Sequence, residues 1–545
     1  MHQQNNPSRL QKGTSWIVVG WATVSMGLVA LSLARMNIDR TPLVEAGIGN
    51  LESLRSWWVA SACSWVALSV MWWMLARRAD GERRTGFVRN ATIIMLLAVM
   101  ARGYVIVTHT PALSDDIYRY IFDGRNLAHG YNPYLDTPAE RAGFHTDALL
   151  ERPLSVLMSE SNSQSIDERW PGEAQLLPLI NNPELHTIYL PGSQWVFAGA
   201  GKLVGERWSD PISSAMLFRG VMVGFELLAI GMLFVLLKRA GKSAWWGALY
   251  AWHPLPLSEI AGSGHQDAIG LALMMAAFLI YSMTPRRMWA WIGALALGTM
   301  VKPVLLPVAA LMLKERSIET ASPPGPEIRS GWRFILIASC RSWKAWLLGG
   351  VAGGVICFAL AGPLWLTHDL QPLENLKETS TRFSLKWSHF GSVYESTMWT
   401  IRKIQPIKDV EIEWQKKDRQ EAMARIICLL LLAIVMAMAF FSRLDTWAAS
   451  RDVLFAMVLF STTSHPWYVL WALMLAPMTM SPALWIASFT LMWGYAQLGD
   501  VVDWKTPTWL MWAAYVPIYC ALIFDIGGKL MVRKSGKLNT VTRQP

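Results

Sequence analysis

Asp115 and Asp116 are adjacent carboxylates at the start of SDDIYRYIFDGRNLAHGYNPY, Ser114 to Tyr134. They follow an apolar run, 91–108, long enough to cross a bilayer, so two acids stand where a membrane helix emerges into water. A carboxylate there can remove the proton of a hydroxyl as that hydroxyl attacks. Neighbouring positions on a helix point ~100° apart, so the two acids cannot hold the same proton. Asp115, nearer the end of the span, reads as the general base, and Asp116 as the orienting acceptor. The other polar groups of suitable type are Tyr118, Arg119, Asp123 and Arg125 on the same stretch, then Tyr189, His265 and Asp267 within GSGHQD, Lys302, and His465. A charged group inside a membrane segment costs about 2.5–3.5 kcal/mol on insertion scales, so such residues usually have a role. Arg119, Lys302, Arg125 and His465 suit a leaving phosphate, which gains negative charge and needs fixed cations. Tyr118, Asp123, Tyr189, His265 and Asp267 complete the candidate substrate-binding set. The chemistry that wants this mixture is transfer of a sugar from a lipid phosphate to a hydroxyl. A monophosphate leaving group needs less neutralisation than a diphosphate, so a divalent cation is admitted but no cofactor is required, and no metal ligands are assigned.

The acidic stretch has the marks of a helix start. Ser114 reads as its N-cap, and acids in the first turn suit the positive end of the helix dipole. Arg119 lies four residues after Asp115, and Asp123 four after Arg119, which predicts a charge ladder along one face. Ile117, Tyr120, Ile121 and Phe122 give an apolar side expected to lie on the membrane surface. Gly130 reads as the stop, and Asn132-Pro133 as a turn.

These residues need a membrane frame. Of 545 residues, 53% are hydrophobic and 16% charged, well below the ~25% charged of soluble domains. The predicted fold class is all-α and polytopic, with about fourteen transmembrane helices, several of them short hairpins. Spans are expected near 15–34, 57–76, 91–108, 213–237, 243–260, 266–283, 288–301, 303–313, 346–366, 423–441, 451–464, 466–480, 482–499 and 508–526. The chain divides into three N-terminal helices (1–108), an external loop with the acidic motif (109–212), central helices with a Lys302 hairpin (213–366), a second external loop (367–422), and C-terminal helices with a basic tail (423–545).

Clusters at Arg77–Arg89, Lys238–Lys242, Arg286-Arg287, Lys314–Lys344 and Lys529–Arg543 fall on one side if both termini are cytoplasmic. The net charge of +10 is therefore positive-inside, and nucleic acid is not an implied partner. Residues 114–186 hold twelve acids against five arginines, the opposite bias, and are placed outside. That loop is expected to hold surface helices at 140–157 and 187–204, the latter re-entrant or interfacial. Thirty Trp fit an interfacial aromatic belt, and five Cys, four in spans and one in a basic loop, form no disulfide or zinc framework. Lys302-Pro303 separates two short apolar runs whose outer ends, Arg286-Arg287 and Lys314, are basic, so a hairpin lifts Lys302 to the outer face. His465-Pro466-Trp467 separates a second such pair.

The order of SDDIYRYIFDGR…GYNPY, IYLPGSQWVFA (Ile188–Ala198), GHQDAIGLAL (Gly264–Leu273), KPVLLP (Lys302–Pro307) and HPWYVLW (His465–Trp471) resembles the GT-C class of integral-membrane glycosyltransferases. Bacterial enzymes using polyprenyl-phosphate mannose look most similar. The resemblance implies an inverting transferase of the bacterial cytoplasmic membrane, with its acidic motif in the first large external loop. It implies a polyprenyl-phosphate-linked sugar as donor, a glycan or lipid of the cell envelope as acceptor, and contact with membrane lipids. The chain departs from the pattern: two spans precede the one delivering the motif, Phe122 stands where Trp is expected, and the insert 140–186 is long. The rival classes are a secondary transporter or lipid flippase, and an inactive envelope-assembly subunit. A transporter calls for related halves and a midplane site; no repeat is visible and the polar groups gather on one face. The intact acid pair weighs against an inactive subunit.

Overall fold

The computed structural model describes residues 9–36, 47–77, 84–144, 173–205, 210–321, 332–405, 413–442, 444–499 and 506–534. Among these, helix is the only regular structure; the sole sheet-like pairings are isolated bridges from His389 and Phe390 to Thr463. Seven helices among the described residues are long and apolar enough to cross a membrane: Trp16–Arg35, Leu54–Ala76, Thr85–Thr108, Pro211–Arg239, Trp343–Trp365, Lys417–Phe441 and Thr508–Asp525. The remaining expected spans are shorter or broken. Asp267–Met283 has 17 residues, Met288–Thr299 12, Leu306–Thr320 15 and Thr446–Leu459 14, against the ~20 a straight crossing needs.

The expected span 243–260 breaks where Pro254 follows His253: Trp245–Ala251 ends, and the chain resumes with a widened, π-type turn at Leu257–Gly262. The expected span 466–480 is a tight turn at Pro466–Val469 followed by the short helix Leu470–Leu473. The expected span 482–499 is a nine-residue helix, Pro482–Thr490, that tightens to three residues per turn over Leu491–Gly499. Hydropathy alone counts these runs as spans; proline and packing break them.

What joins the spans is partly polar. Arg102 on Arg84–Thr108 and Glu226 on Pro211–Arg239 have no exposure and form a bidentate pair at 2.7 and 2.6 Å, with Arg102 Nη1 also donating to Ala251 O at 2.9 Å. Planar guanidinium and carboxylate match each other, which leaves neither charge unpaired in the apolar interior. Tryptophan is used in two ways. Trp16, Trp289 and Trp509 are exposed, as a belt requires, whereas Trp57, Trp252, Trp291 and Trp485 are fully buried. The buried indoles find acceptors: Trp57 in Ser258 Oγ at 3.0 Å, Trp252 in Ile94 O at 3.1 Å, and Trp485 in Ser69 Oγ at 2.7 Å.

The acidic stretch forms the helix Asp116–Ala128, and every residue from Ile117 to Asn126 is buried. This corrects the surface-lying expectation. Helix Pro191–Val204 packs along it so closely that a Cβ on Gly124 would sit 2.4 Å from Phe197 O. Tyr120 stacks on Phe197 with centroids 4.5 Å apart. The run 187–204 is thus a 14-residue helix from Pro191, preceded by extended chain. The helix expected at 140–157 is found only as Pro138–Arg141, capped reciprocally by Thr137 and Glu140; residues 145–157 lie outside the described residues. Gly130, at φ +86°, follows the end of the acidic helix, and Asn132 makes its turn by accepting from Tyr134 N at 3.1 Å. Asn132 Nδ2 then ties the loop to Leu364 O at 2.6 Å, at the end of Trp343–Trp365.

Lys302 lies in extended conformation between Met288–Thr299 and the turn Pro303–Leu305. The run expected at 303–313 continues further than expected. Helix Leu306–Thr320 runs past Lys314, whose side chain is buried instead of marking the end.

Candidate active site

Three chain breaks bring the site together. The first is the start of the acidic helix. Ser114 is not the cap itself: Asp115 takes that position, and Ser114 Oγ accepts from Asp116 N at 3.3 Å. Asp115 and Asp116 are both half-buried, so each keeps an open side. Asn181 spans them, its Nδ2 lying 2.6 Å from Asp115 Oδ1 and 3.3 Å from Asp116 Oδ1. The predicted ladder is present in its second half, Arg119 Nε to Asp123 Oδ1 at 2.9 Å.

That half serves the fold. Arg119 Nη1 donates to Leu185 O at 2.8 Å, while Asp123 Oδ2 accepts from Thr187 Oγ1 at 2.5 Å and Gln194 Nε2 at 2.8 Å. Arg119 and Asp123 therefore clamp the acidic helix to the segment 185–194, and neither opens on the rim. Tyr118 and Arg125 are also buried. Tyr189 lies half-buried beside Tyr120 in an edge-to-face contact at 4.8 Å, with its carbonyl accepting from Tyr134 Oη at 2.5 Å.

The second break is GSGHQD. The widened turn Leu257–Gly262 lets His265 N reach Glu259 O at 3.0 Å, six residues back. Gly264 sits at φ +80°, and a Cβ there would lie 2.4 Å from Ile117 Cδ1 and 2.9 Å from Arg219 Cγ. This close approach sets His265 beside the acidic helix: His265 Nδ1 lies 3.8 Å from Asp116 Oδ2, and Nε2 3.2 Å from Glu259 Oε2. Gly264→Ala is expected to cost about 1–2 kcal/mol for the left-handed conformation and about 1–3 more for overpacking. Thermal unfolding in detergent checks it; an unchanged midpoint shows the contact to be slack.

The third set is Lys302 with the segment 465–471. Lys302 Nζ pairs with Asp267 Oδ1 at 2.9 Å and lies 4.2 Å over the Tyr468 ring. Trp471 Nε1 donates to the same Asp267 oxygen at 2.5 Å. Lys302 keeps 22% of its side chain exposed while Asp267 keeps 2%, so the lysine is the more open member of the pair. Burial works against the Lys302 charge, but Asp267, Tyr468 and Asp116 outweigh it and hold the ammonium above its ordinary range. His465 is stacked on Trp467 (centroids 4.2 Å, planes 6° apart), which stacks in turn on His265 (4.0 Å, 20°). His389 stands 5.4 Å from His465. Burial pushes His389 down to about 4, and burial with the neighbouring His389, His265 and Lys302 pushes His465 well below its ordinary value. Both rings are neutral near pH 7, so Lys302 offers the rim a fixed positive charge and they do not.

Of the residues singled out in the sequence, the tertiary structure thus gathers Asp115, Asp116, His265, Asp267, Lys302 and His465. Arg119, Asp123, Tyr118 and Arg125 line the interior of the acidic helix instead. Asn181, Glu259, Trp467, Trp471 and Tyr495 were missed. Asn181 lies 66 residues from the acid it holds, with no motif around it, and the tryptophans read as belt residues. Glu259 had a signal: an acid in an otherwise apolar run. Among the described residues no three of His, Cys, Asp and Glu are grouped as a metal site.

Residues 15–151 match the model of the MptA_B family, described as alpha-(1->6)-mannopyranosyltransferase, N-terminal domain. No curated protein and no solved structure matches the chain. The matched stretch contains the acid pair at 115 and 116 and the three long helices before it. Over residues 15–151 the chain is therefore similar to the N-terminal domain of alpha-(1->6)-mannopyranosyltransferases.

Proposed function

We propose that this protein is an inverting mannosyltransferase that moves mannose from a polyprenyl-phosphate donor to a hydroxyl acceptor at the outer face of the bacterial cytoplasmic membrane. The observation that carries the reading is the pairing of two half-open carboxylates with one rim ammonium, inside a frame of membrane helices whose first part matches a mannosyltransferase domain. Lys302 receives the donor phosphate and offsets the charge that builds on it as the sugar leaves. Asp115 takes the acceptor proton while the new glycosidic bond forms. Asn181 holds that carboxylate, and Asp116 stands between Asn181 and His265, fixing the direction from which the base acts. A single displacement of this kind inverts the anomeric centre. The phosphate leaves as a monoester, so one lysine and backbone donors suffice and no divalent cation is required.

The test is transfer in sealed vesicles with the active face outward, supplied with polyprenyl-phosphate mannose in the bilayer and a glycan acceptor outside, with EDTA present. Mannosylated acceptor is expected. Transfer from a nucleotide sugar, or none from the lipid donor, overturns the reading; loss of transfer in EDTA alone overturns the metal-free part of it.

A further inference from the structure

Glu259 is fully buried, and the chemistry above gives it no task. A carboxylate without solvent must be paired or hydrogen-bonded, because otherwise it would not stay ionised in an apolar interior. Tyr495 Oη lies 2.9 and 2.8 Å from its two oxygens. Its Oε2 lies 3.2 Å from His265 Nε2, and the opposite nitrogen of that ring faces Asp116 at 3.8 Å. The ring is packed closely. Trp467 covers one face at 4.0 Å, and the Gly264 turn fixes its backbone against Ile117 and Arg219. The far end is equally fixed: Trp57 meets Tyr495 edge-on at 5.8 Å and donates to Ser258 Oγ in the widened turn at 3.0 Å.

The line Tyr495, Glu259, His265, Asp116 therefore runs from the protein interior to the rim. It joins three chain segments that are remote in sequence. Among the described residues neither ring nitrogen finds a hydrogen-bond partner, so the link along this line is one of charge and contact, with Glu259 3.2 Å from one side of the ring and Asp116 3.8 Å from the other.

We infer that Glu259 and Tyr495 are positioning residues for the transfer: together they fix the His265 ring, and through it the Asp116 carboxylate. The inference rests on the Asp115–Asp116 site described above. Neither residue touches the reacting atoms, so the donor is bound without them and only the chemical step feels their loss.

Glu259→Gln keeps the shape and an acceptor for Tyr495 but removes the charge facing His265. It is expected to lower kcat by about 10- to 100-fold, with KM for the lipid donor within about twofold of wild type. Glu259→Asp should recover part of the loss. His265→Gln should show a similar kcat, and the double variant Glu259→Gln/His265→Gln should be no worse than the poorer single one, because both remove one linkage. Tyr495→Phe removes a single hydroxyl and serves where Glu259→Gln fails to fold; its loss should also fall on kcat. Wild-type kcat in Tyr495→Phe and a folded Glu259→Gln overturns the inference, as does a double variant whose losses multiply, or a loss confined to KM. Asp115→Asn is assayed beside them. If it is inactive while the Glu259 and Tyr495 variants are normal, only the positioning inference fails; if Asp115→Asn itself is normal, the site assignment fails first.

Discussion

Asp115→Asn is expected to lower turnover by about 10²- to 10⁴-fold, the usual contribution of a general base, with the fold intact. The substitution is close to silent structurally. Asparagine keeps the volume, and its carbonyl can accept the hydrogen bond that Asn181 now gives Asp115 Oδ1 at 2.6 Å. Asp115 is the N-cap residue but its side chain makes no capping hydrogen bond, so the substitution leaves the helix start as it is. What is lost is the ability to take a proton. Asp116→Asn should lose less, since Asp116 acts through position: it shares Asn181 and faces His265. The measurement is steady-state transfer from a synthetic polyprenyl-phosphate mannose, with the thermal midpoint followed in parallel. Normal turnover in Asp115→Asn with a dead Asp116→Asn swaps the two roles. Normal turnover in both removes the acid pair from the chemistry altogether.

Lys302→Ala should cut kcat/KM for the lipid donor by about 10²- to 10³-fold, the scale seen when a fixed group that stabilises developing charge is removed. Here a structural effect must be separated from a catalytic one. Asp267 has 2% of its side chain exposed, and without Lys302 it keeps, among the described residues, the indole of Trp471 alone. Breaking a buried pair from one side costs about 3–5 kcal/mol, so the alanine variant should also melt early. Lys302→Ala/Asp267→Asn removes both charges; it should regain most of the stability and none of the donor use. Lys302→Arg keeps the charge with another shape and should retain part of the activity. A double variant that regains activity along with stability would show that Lys302 serves only Asp267, and the phosphate must then be held elsewhere.

The acidic helix shows how far local sequence reaches. Its start near Ser114, its stop at Gly130 and the Asn132-Pro133 turn were legible because capping, backbone conformation and Asx turns depend on residues within a few positions. So were the long apolar helices and the chain break at Lys302-Pro303, since length, hydropathy and proline are also local properties. The surroundings of that helix were not legible. Arg119 and Asp123 look like substrate-facing charges in the sequence; helix Pro191–Val204 and the chain before it turn them into a buried clamp. Nor does hydropathy distinguish a full span from a broken one: 243–260 and 466–480 are apolar enough but are interrupted beside Pro254 and at Pro466.

Residue types and spacing alone determined that this is a membrane-spanning helical protein with an acid pair at the mouth of a span and a cation between two short apolar runs. Only the tertiary structure decided which of the charged residues meet. Asn181 with Asp115, Lys302 with Asp267, and Glu259 with Tyr495 are 66, 35 and 236 residues apart, and nothing local in the chain encodes those distances. They follow from packing. A charge or polar group carried into an apolar interior must find its partner there or be excluded, and which partner it finds depends on how the helices close around it.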